Sequence, residues 1–347
     1  MNEITPANSL IPLTLADEDI TQRLKEFVQD SEAFAPNTWR QLLSVMRVCH
    51  RWASSHGRPF LPMSAEDLRD YLSHLQATGR ASTTISAHQS LIAMLHRNAG
   101  LVPPSTSPLV WRAVKKINRM AVVAGERTGQ AVPFRLDDLN KVGKVWAQSE
   151  SSRDLRDLAF LHVSYSTLMR ISEVARLKVC DILRAEDGRV LLEGSWTKTM
   201  LDTGGLVKAL GTRSSNVLLK WLSVSGLVSE PDAYLFCPVH RSGKVKIITA
   251  EPMSTPALKA IFTRAWLAAG YTKTLKPNKN RYRRWSGHSA RVGAAQDLAR
   301  KGYSIPQIMQ EGTWKKPETL MRYIRYVEAH KGVMVDLMEN QEDEKRG

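Results

Sequence analysis

Three short stretches set groups that carry charge or protons into otherwise apolar company. In STLMRISEVARL, Arg170 precedes Glu173 by three residues and is flanked by Leu168, Met169, Ile171 and Val174. A pair at that spacing is ordinarily a surface ion pair worth roughly 0.2–0.5 kcal/mol. With these apolar flanks it fits a partly buried guanidinium held by a carboxylate. In SGHSARVGAAQDL, His288 and Arg291 lie one helical turn apart, a proton carrier and a fixed cation aimed the same way. Gly287 before them, and Gly293, Ala294 and Ala295 after, leave room for close approach of backbone or ligand. Trp314 precedes Tyr323 by nine residues, and Tyr323 lies in MRYIRYV with Arg322 and Arg325 beside it. Singly, each has a plain structural explanation: an ion pair, a helix cap, a packed aromatic pair. Their meaning depends on whether the fold gathers them.

The elements that must carry them are mostly helices. Ile20, Leu24, Phe27 and Val28 form an apolar stripe at helical spacing. Asn37 is expected to cap a second helix, turning Trp39, Leu42, Leu43, Met46 and Cys49 inward. Arg40, Ser44, Arg47 and Arg51 then share the other face. Ser64 opens a third helix, with Leu68, Tyr71, Leu72 and Leu75 inside, that stops at Gly79. Ser82 opens a fourth, burying Ile85, Leu91, Met94 and Leu95 and ending at Gly100. A fifth, around VWRAVKKINRM, carries Arg112, Lys115, Lys116 and Arg119. The stretch VAGERTGQAVP has two glycines, a closing proline and little periodicity, the marks of a linker. The expected organisation is a lead-in over 1–16, a helical N-terminal domain over 17–122, a linker over 123–133 and a second domain over 134–347. That second domain is helical at SSNVLLKWLSVSG, STPALKAIFTRAWLAAG, SGHSARVGAAQDL and KPETLMRYIRYV. RVLLEGSWTKTMLDTGGLVKAL interrupts it with two or three small antiparallel strands, Lys198 beside a turn. The fold class is therefore mainly α in two domains with a small antiparallel sheet.

Charge points to an anionic partner. Lys and Arg number 49 against 34 Asp and Glu, a formal charge of +15, which suits nucleic acid or an anionic membrane surface. The densest run, KTLKPNKNRYRR, holds Lys273, Lys276, Lys279, Arg281, Arg283 and Arg284 with no acid and with Tyr282 inside, as a phosphate backbone would want. No apolar run approaches the ~18 residues of a membrane span, and MNEITPANSL lacks a signal pattern. Cys49, Cys180 and Cys237 stand apart in apolar contexts and are expected to be buried free thiols in a reducing compartment. Without CxxC, HExxH or an EF-hand loop, the sequence gives no reason to propose a metal site.

In order, the motifs are R-x-x-E, a lysine in a β-turn, H-x-x-R, a Trp, and a Tyr nine residues on. This resembles the tyrosine recombinase (phage integrase-type) family. TLMRISEVARLKV, SWTKT, WSGHSARVGAAQDLA and IMQEGTWKKPETLMRYIR are similar to its Cre-like branch, as are FAPNTWRQLLSV and ASTTISAHQSLIAMLHRNAGL. The resemblance runs from about residue 20 to 338. It implies a site-specific DNA recombinase whose nucleophile is Tyr323, forming a 3′-phosphotyrosyl bond and releasing a 5′-hydroxyl. Arg170 and Arg291 would hold the non-bridging oxygens, and His288 and the Trp314 indole would add hydrogen bonds, His288 also taking the phenol proton. Lys198 would protonate the leaving oxygen, and Glu173 would hold the site together. No metal or nucleotide cofactor is implied. Tyr326, three residues past Tyr323, is a rival that the residue pattern leaves open; the family spacing from Trp314 selects Tyr323. Many relatives carry a His where Trp314 stands, so the Trp marks the Cre-like branch.

The same resemblance implies a C-shaped clamp on double-stranded DNA and a homotetramer on two inverted-repeat sites. The segment Val333, Met334, Val335, Leu337 and Met338 would dock on a neighbouring protomer. DNA contacts are expected from Arg40, Gln41, Arg47, Thr83, Ala87 and His88 in the first domain, and from Pro256, Lys259, Arg281, Tyr282, Arg283 and Arg284 in the second. Pro256 and Lys259 depart from the arginine and glutamate of the Cre-like pattern, so a different target sequence is expected. A cytoplasmic protein of bacterial, phage or plasmid origin would follow. Two other readings stand: a nicking-closing enzyme of the type IB topoisomerase kind, and a DNA-binding regulator with an inactive site.

Overall fold

Helix starts follow local chemistry. The computed structural model describes residues 15–126, 129–194, 206–271 and 284–330, with Gly332, Met334 and Met338. Lys198, Lys273, Lys276, Lys279, Arg281, Tyr282, Arg283, Val333, Val335 and Leu337 lie outside the described residues. The chain forms two compact units, Met1–Thr128 and Gly129–Gly347.

The first unit carries α1 (Leu15–Gln29), α2 (Pro36–Ser55), α3 (Ala65–Ala77), α4 (Ser82–Asn98) and α5 (Pro108–Val123). The Ser64 hydroxyl accepts the Asp67 N–H at 3.0 Å and starts α3. α2 begins before Asn37, because Pro36 takes the first helical position, where its fixed φ is favourable and no N–H is needed. The buried face of α2 is Leu42, Val45, Cys49 and Trp52, so Leu43 stays exposed, as does Val28 on α1. Arg40, Ser44, Arg47 and Arg51 lie on the exposed face. Those buried α2 residues other than Leu42 pack with Leu68, Tyr71, Leu72, Ile85, Ile92, Val110 and Ile117. His88 belongs to this interior. Its Nδ1 meets the Tyr71 hydroxyl at 2.7 Å, and burial lowers its pKa. The expectation of His88 beside Thr83 and Ala87 on a DNA-facing surface is thereby corrected; those two are exposed.

The second unit carries α6 (Leu136–Trp146), α7 (Ser152–Thr167), α8 (Ile171–Val174), β1 (Ile182–Arg184), β2 (Val190–Gly194) and β3 (Leu206–Ala209). After the strands come α9 (Thr212–Ser225), α10 (Thr255–Ala268), α11 (Ser289–Arg300), α12 (Ile305–Gly312) and α13 (Pro317–His330). The antiparallel sheet runs β1-β2-β3, with Leu183 opposite Leu191 and Leu192 opposite Lys208. β1 lies ahead of the stretch expected to hold strands. α7 is the central helix, buried along Leu158–Val163 and packed with Leu218 and Trp221 of α9 and Ile261 and Phe262 of α10. An ion triad centred on the buried Asp157 ties α7 to α10. Asp157 accepts from Arg156 Nε and Arg264 Nε, each at 2.7 Å. A second, smaller core of Leu168, Ala294, Ala295, Ile308, Trp314, Leu320 and Ile324 lies among α11, α12 and α13. Cys49 and Cys237 are buried as expected. Cys180 is exposed, because it sits in a short 3₁₀ turn at the surface. No helix of the described residues is long and apolar enough to cross a membrane.

Candidate active site

Arg170 is positioned by a helix break. α7 ends at Thr167, and Leu168 takes a left-handed conformation at φ 52°, costly for a residue with a Cβ. The chain then re-enters a helix at α8 with Arg170 as its N-cap. The Arg170–Glu173 pair is thus a cap, not two neighbours on one helix face. Glu173 Oε2 accepts the Arg170 backbone N–H at 2.8 Å, and Oε1 accepts from its Nη1 at 2.7 Å. Glu173 is buried, while the Arg170 side chain keeps about a third of its surface exposed.

Arg291 is held from the opposite side. It lies in the first turn of α11, is 3% exposed, and donates from Nη1 to the Leu168 carbonyl and from Nη2 to the Gly312 carbonyl at 2.5 Å. Each carbonyl sits at a helix end, where partial negative charge accumulates. α12 closes through Thr313 at φ 52°, the Trp314 N–H reaching back to the Met309 carbonyl at 2.9 Å. Leu168 and Thr313 are the two non-glycine residues with positive φ among the described residues, and both border this guanidinium. Burial, and then the charge of Arg170, bring Arg291 down to about 10, so it stays cationic at neutral pH. A guanidinium has five N–H donors, so the two carbonyls leave others for a ligand.

The aromatic residues close one side. The Arg291 Cζ stands 4.2 Å from the Trp314 ring centroid, and Trp314 meets Tyr323 edge-on at 5.7 Å. Gly312 makes room for the indole: a Cβ there would lie 1.9 Å from the ring. Gly287 does the same for Ile171, beside Arg170. At Gly293 a Cβ would fall 1.7 Å from the Phe134 carbonyl oxygen, so α11 lies directly against that strand of backbone. The Phe134 N–H donates to the Ser289 carbonyl at 2.9 Å, and Trp285 Nε1 to the Pro133 carbonyl at 3.0 Å.

His288 is the N-cap residue of α11 and is exposed. The protein packed around it, followed by the charges of Arg291, Arg170 and Lys259, lowers its pKa and keeps it neutral at pH 7. Lys259 is exposed on α10, about one turn after the exposed Pro256. Gln41 in the first unit and Arg284 in the second are exposed as well. The structure thus gathers Arg170, Glu173, His288, Arg291, Trp314 and Tyr323; Lys198 lies outside the described residues.

Three residues went unnoticed in the sequence. Gln130 and Gln296 each donate from Nε2 to the Tyr323 carbonyl at 2.9 Å. Lys208 of β3 donates to the Glu311 carbonyl at 2.6 Å, one residue before the carbonyl that holds Arg291. The available signal for Lys208 was parity, since it shares a strand face with Leu206 and points inward. Neutral amides that act across long sequence separations leave no comparable mark.

The sequence matches a model described as "Phage integrase family" over residues 119–330. The recombinase Cre of Escherichia phage P1 is 40% identical over 330 residues, covering 95% of this chain and 96% of its own. The Tn1549 transposon integrase, solved in complex with transposon right end DNA, covers 90% of this chain and 98% of its own at 12% identity and a TM-score of 0.61. A λ integrase tetramer bound to a Holliday junction covers 88% and 76% at 14% identity, with a TM-score of 0.53. At those identities the two solved structures speak for the fold.

Proposed function

The chain belongs to the phage integrase family and is a tyrosine site-specific recombinase, and we propose from this that it cuts and rejoins duplex DNA through Tyr323. The observation that carries the reading is that Arg291 lies over the Trp314 ring, which meets the Tyr323 ring, with Arg170 and His288 close enough to Arg291 to interact with its charge. The phenol oxygen attacks the phosphorus in line, and the bond from phosphorus to the 5′ oxygen breaks. His288, neutral at pH 7, takes the phenol proton. Lys198 gives a proton to the departing 5′ oxygen. The five-coordinate transition state gathers charge on the non-bridging oxygens, which the two fixed guanidinium groups neutralise. The covalent 3′-phosphotyrosine conserves the energy of the broken bond for rejoining.

Exposed Arg40, Gln41, Arg47, Thr83 and Ala87 of the first unit, with Pro256, Lys259 and Arg284 of the second, are the proposed contacts to DNA. The proposed working form is a homotetramer on two inverted-repeat sites. The test uses a nicked suicide duplex built on a sequence selected for binding from random DNA. Wild type should accumulate a covalent adduct and Tyr323→Phe none. An undiminished adduct in the variant overturns the nucleophile, and no adduct in either supports an inactive regulator.

A further inference from the structure

The carbonyl of Tyr323 is held by two side chains from outside its own helix. In mid-helix a carbonyl accepts the N–H four residues on, and its remaining lone-pair density can be shared by further donors. Here that oxygen takes Gln130 Nε2 from 193 residues earlier and Gln296 Nε2 from 27 residues earlier, each at 2.9 Å. Gln296 is 6% exposed, and its own orientation is fixed. Arg135 Nη2, a pure donor, meets Gln296 Oε1 at 3.0 Å, so the amide can present only its N–H groups to the tyrosine. Gln296 and Arg291 share α11, five residues apart, about 7.5 Å along one rigid axis. One helix therefore holds both the phosphate-binding arginine and the backbone of the tyrosine that must meet the phosphorus. Gln130 fixes the same oxygen from the segment where the chain enters the unit.

We propose that Gln130 and Gln296 are positioning residues for Tyr323, their amides setting the rotation and axial height of α13 so that the phenol lies in line with a phosphate held by Arg291. The proposal rests on Tyr323 being the nucleophile. Neither amide touches substrate; both act through the tyrosine's backbone.

The test substitutes Gln130→Met and Gln296→Met, singly and together, in the full chain. Methionine keeps the length and removes the donor. Single-turnover adduct formation is measured at saturating protein on two suicide duplexes, one with the natural 5′ oxygen and one with a 5′-bridging sulfur at the cleaved bond. Sulfur leaves without a proton, so it restores variants whose defect is in acid catalysis and does not restore a misplaced nucleophile. Each single variant should slow adduct formation about fivefold, and the pair about 25-fold, on both duplexes. DNA affinity should stay within about twofold of wild type. A double variant that cleaves at the wild-type rate, one whose loss follows its loss of DNA binding, or one restored by sulfur overturns the proposal alone. An adduct undiminished in Tyr323→Phe overturns the nucleophile assignment and the proposal with it.

Discussion

Gly293→Ala probes the contact on which the position of Arg291 depends. The new Cβ would lie 1.7 Å from the Phe134 carbonyl oxygen and 2.3 Å from its carbon, both backbone atoms that no rotamer change can move. Reaching an ordinary van der Waals distance requires α11 and the Phe134 segment to part by about 1.7 Å. That displacement breaks the 2.9 Å bond from the Phe134 N–H to the Ser289 carbonyl. Overpacking costs about 1–3 kcal/mol and the lost hydrogen bond about 1 more. For a unit of this size each kcal/mol lowers Tm by roughly 2–4 °C, so a fall of roughly 5–15 °C is expected. Arg291 is two residues along the same helix, and a misplacement near 1 Å can cost on the order of a hundredfold in rate. The assay pairs a thermal melt of the full chain with single-turnover adduct formation. Gly211→Ser is the control, since Gly211 precedes α9 with extended backbone and no atom within 4 Å of a Cβ. Its Tm should hold or rise. A Gly293→Ala protein that melts within about 2 °C of wild type and cleaves at its rate would refute the packing argument.

Two further outcomes follow from buried charge. Asp157→Asn leaves Arg156 and Arg264 without their shared carboxylate; breaking such a buried group costs about 3–5 kcal/mol, to be read as a lower urea midpoint. His162 is buried, its Nδ1 meets the Ser214 hydroxyl at 3.0 Å, and burial brings its pKa from 6.5 to about 4. The unfolded chain takes up a proton near 6.5 that the folded unit refuses until about 4, so the stability from this site is complete above 6.5 and is lost as pH falls through that interval. The loss should reach about 3 kcal/mol in urea melts, with His162→Leu flattening the slope and an unchanged slope counting against the assignment.

Much of the site could be read from the sequence because its pairs are local. Three-residue spacing was enough to couple Arg170 with Glu173 and His288 with Arg291, and apolar flanks marked both as more than surface charge. The form of the first pair was not legible. A leucine in the left-handed region breaks the helix where a glycine would have announced the break. His88 was legible and misread: with Ile85, Ile92 and Leu95 it follows the spacing of a buried helix face. The two glutamines on Tyr323 could not be found by spacing, because neither charge nor periodicity distinguishes an amide that acts across 193 residues. The grip of two helix-end carbonyls on Arg291 was equally hidden, since backbone acceptors carry no sequence signature.

The contact between Gln130 and Tyr323 also sets a clock on synthesis. Gln130 is made 193 residues before the tyrosine whose carbonyl it holds. At about 5–20 residues per second, translation needs roughly 10–40 s to supply the partner. Arg170 and its glutamate are made early in that interval, and α11 and α12 only late in it, with α13 last. The centre cannot close until Tyr323 has been made, whatever folds before it. A chain that stops short of α13 therefore holds Gln130 and Arg170 without the tyrosine that completes the centre.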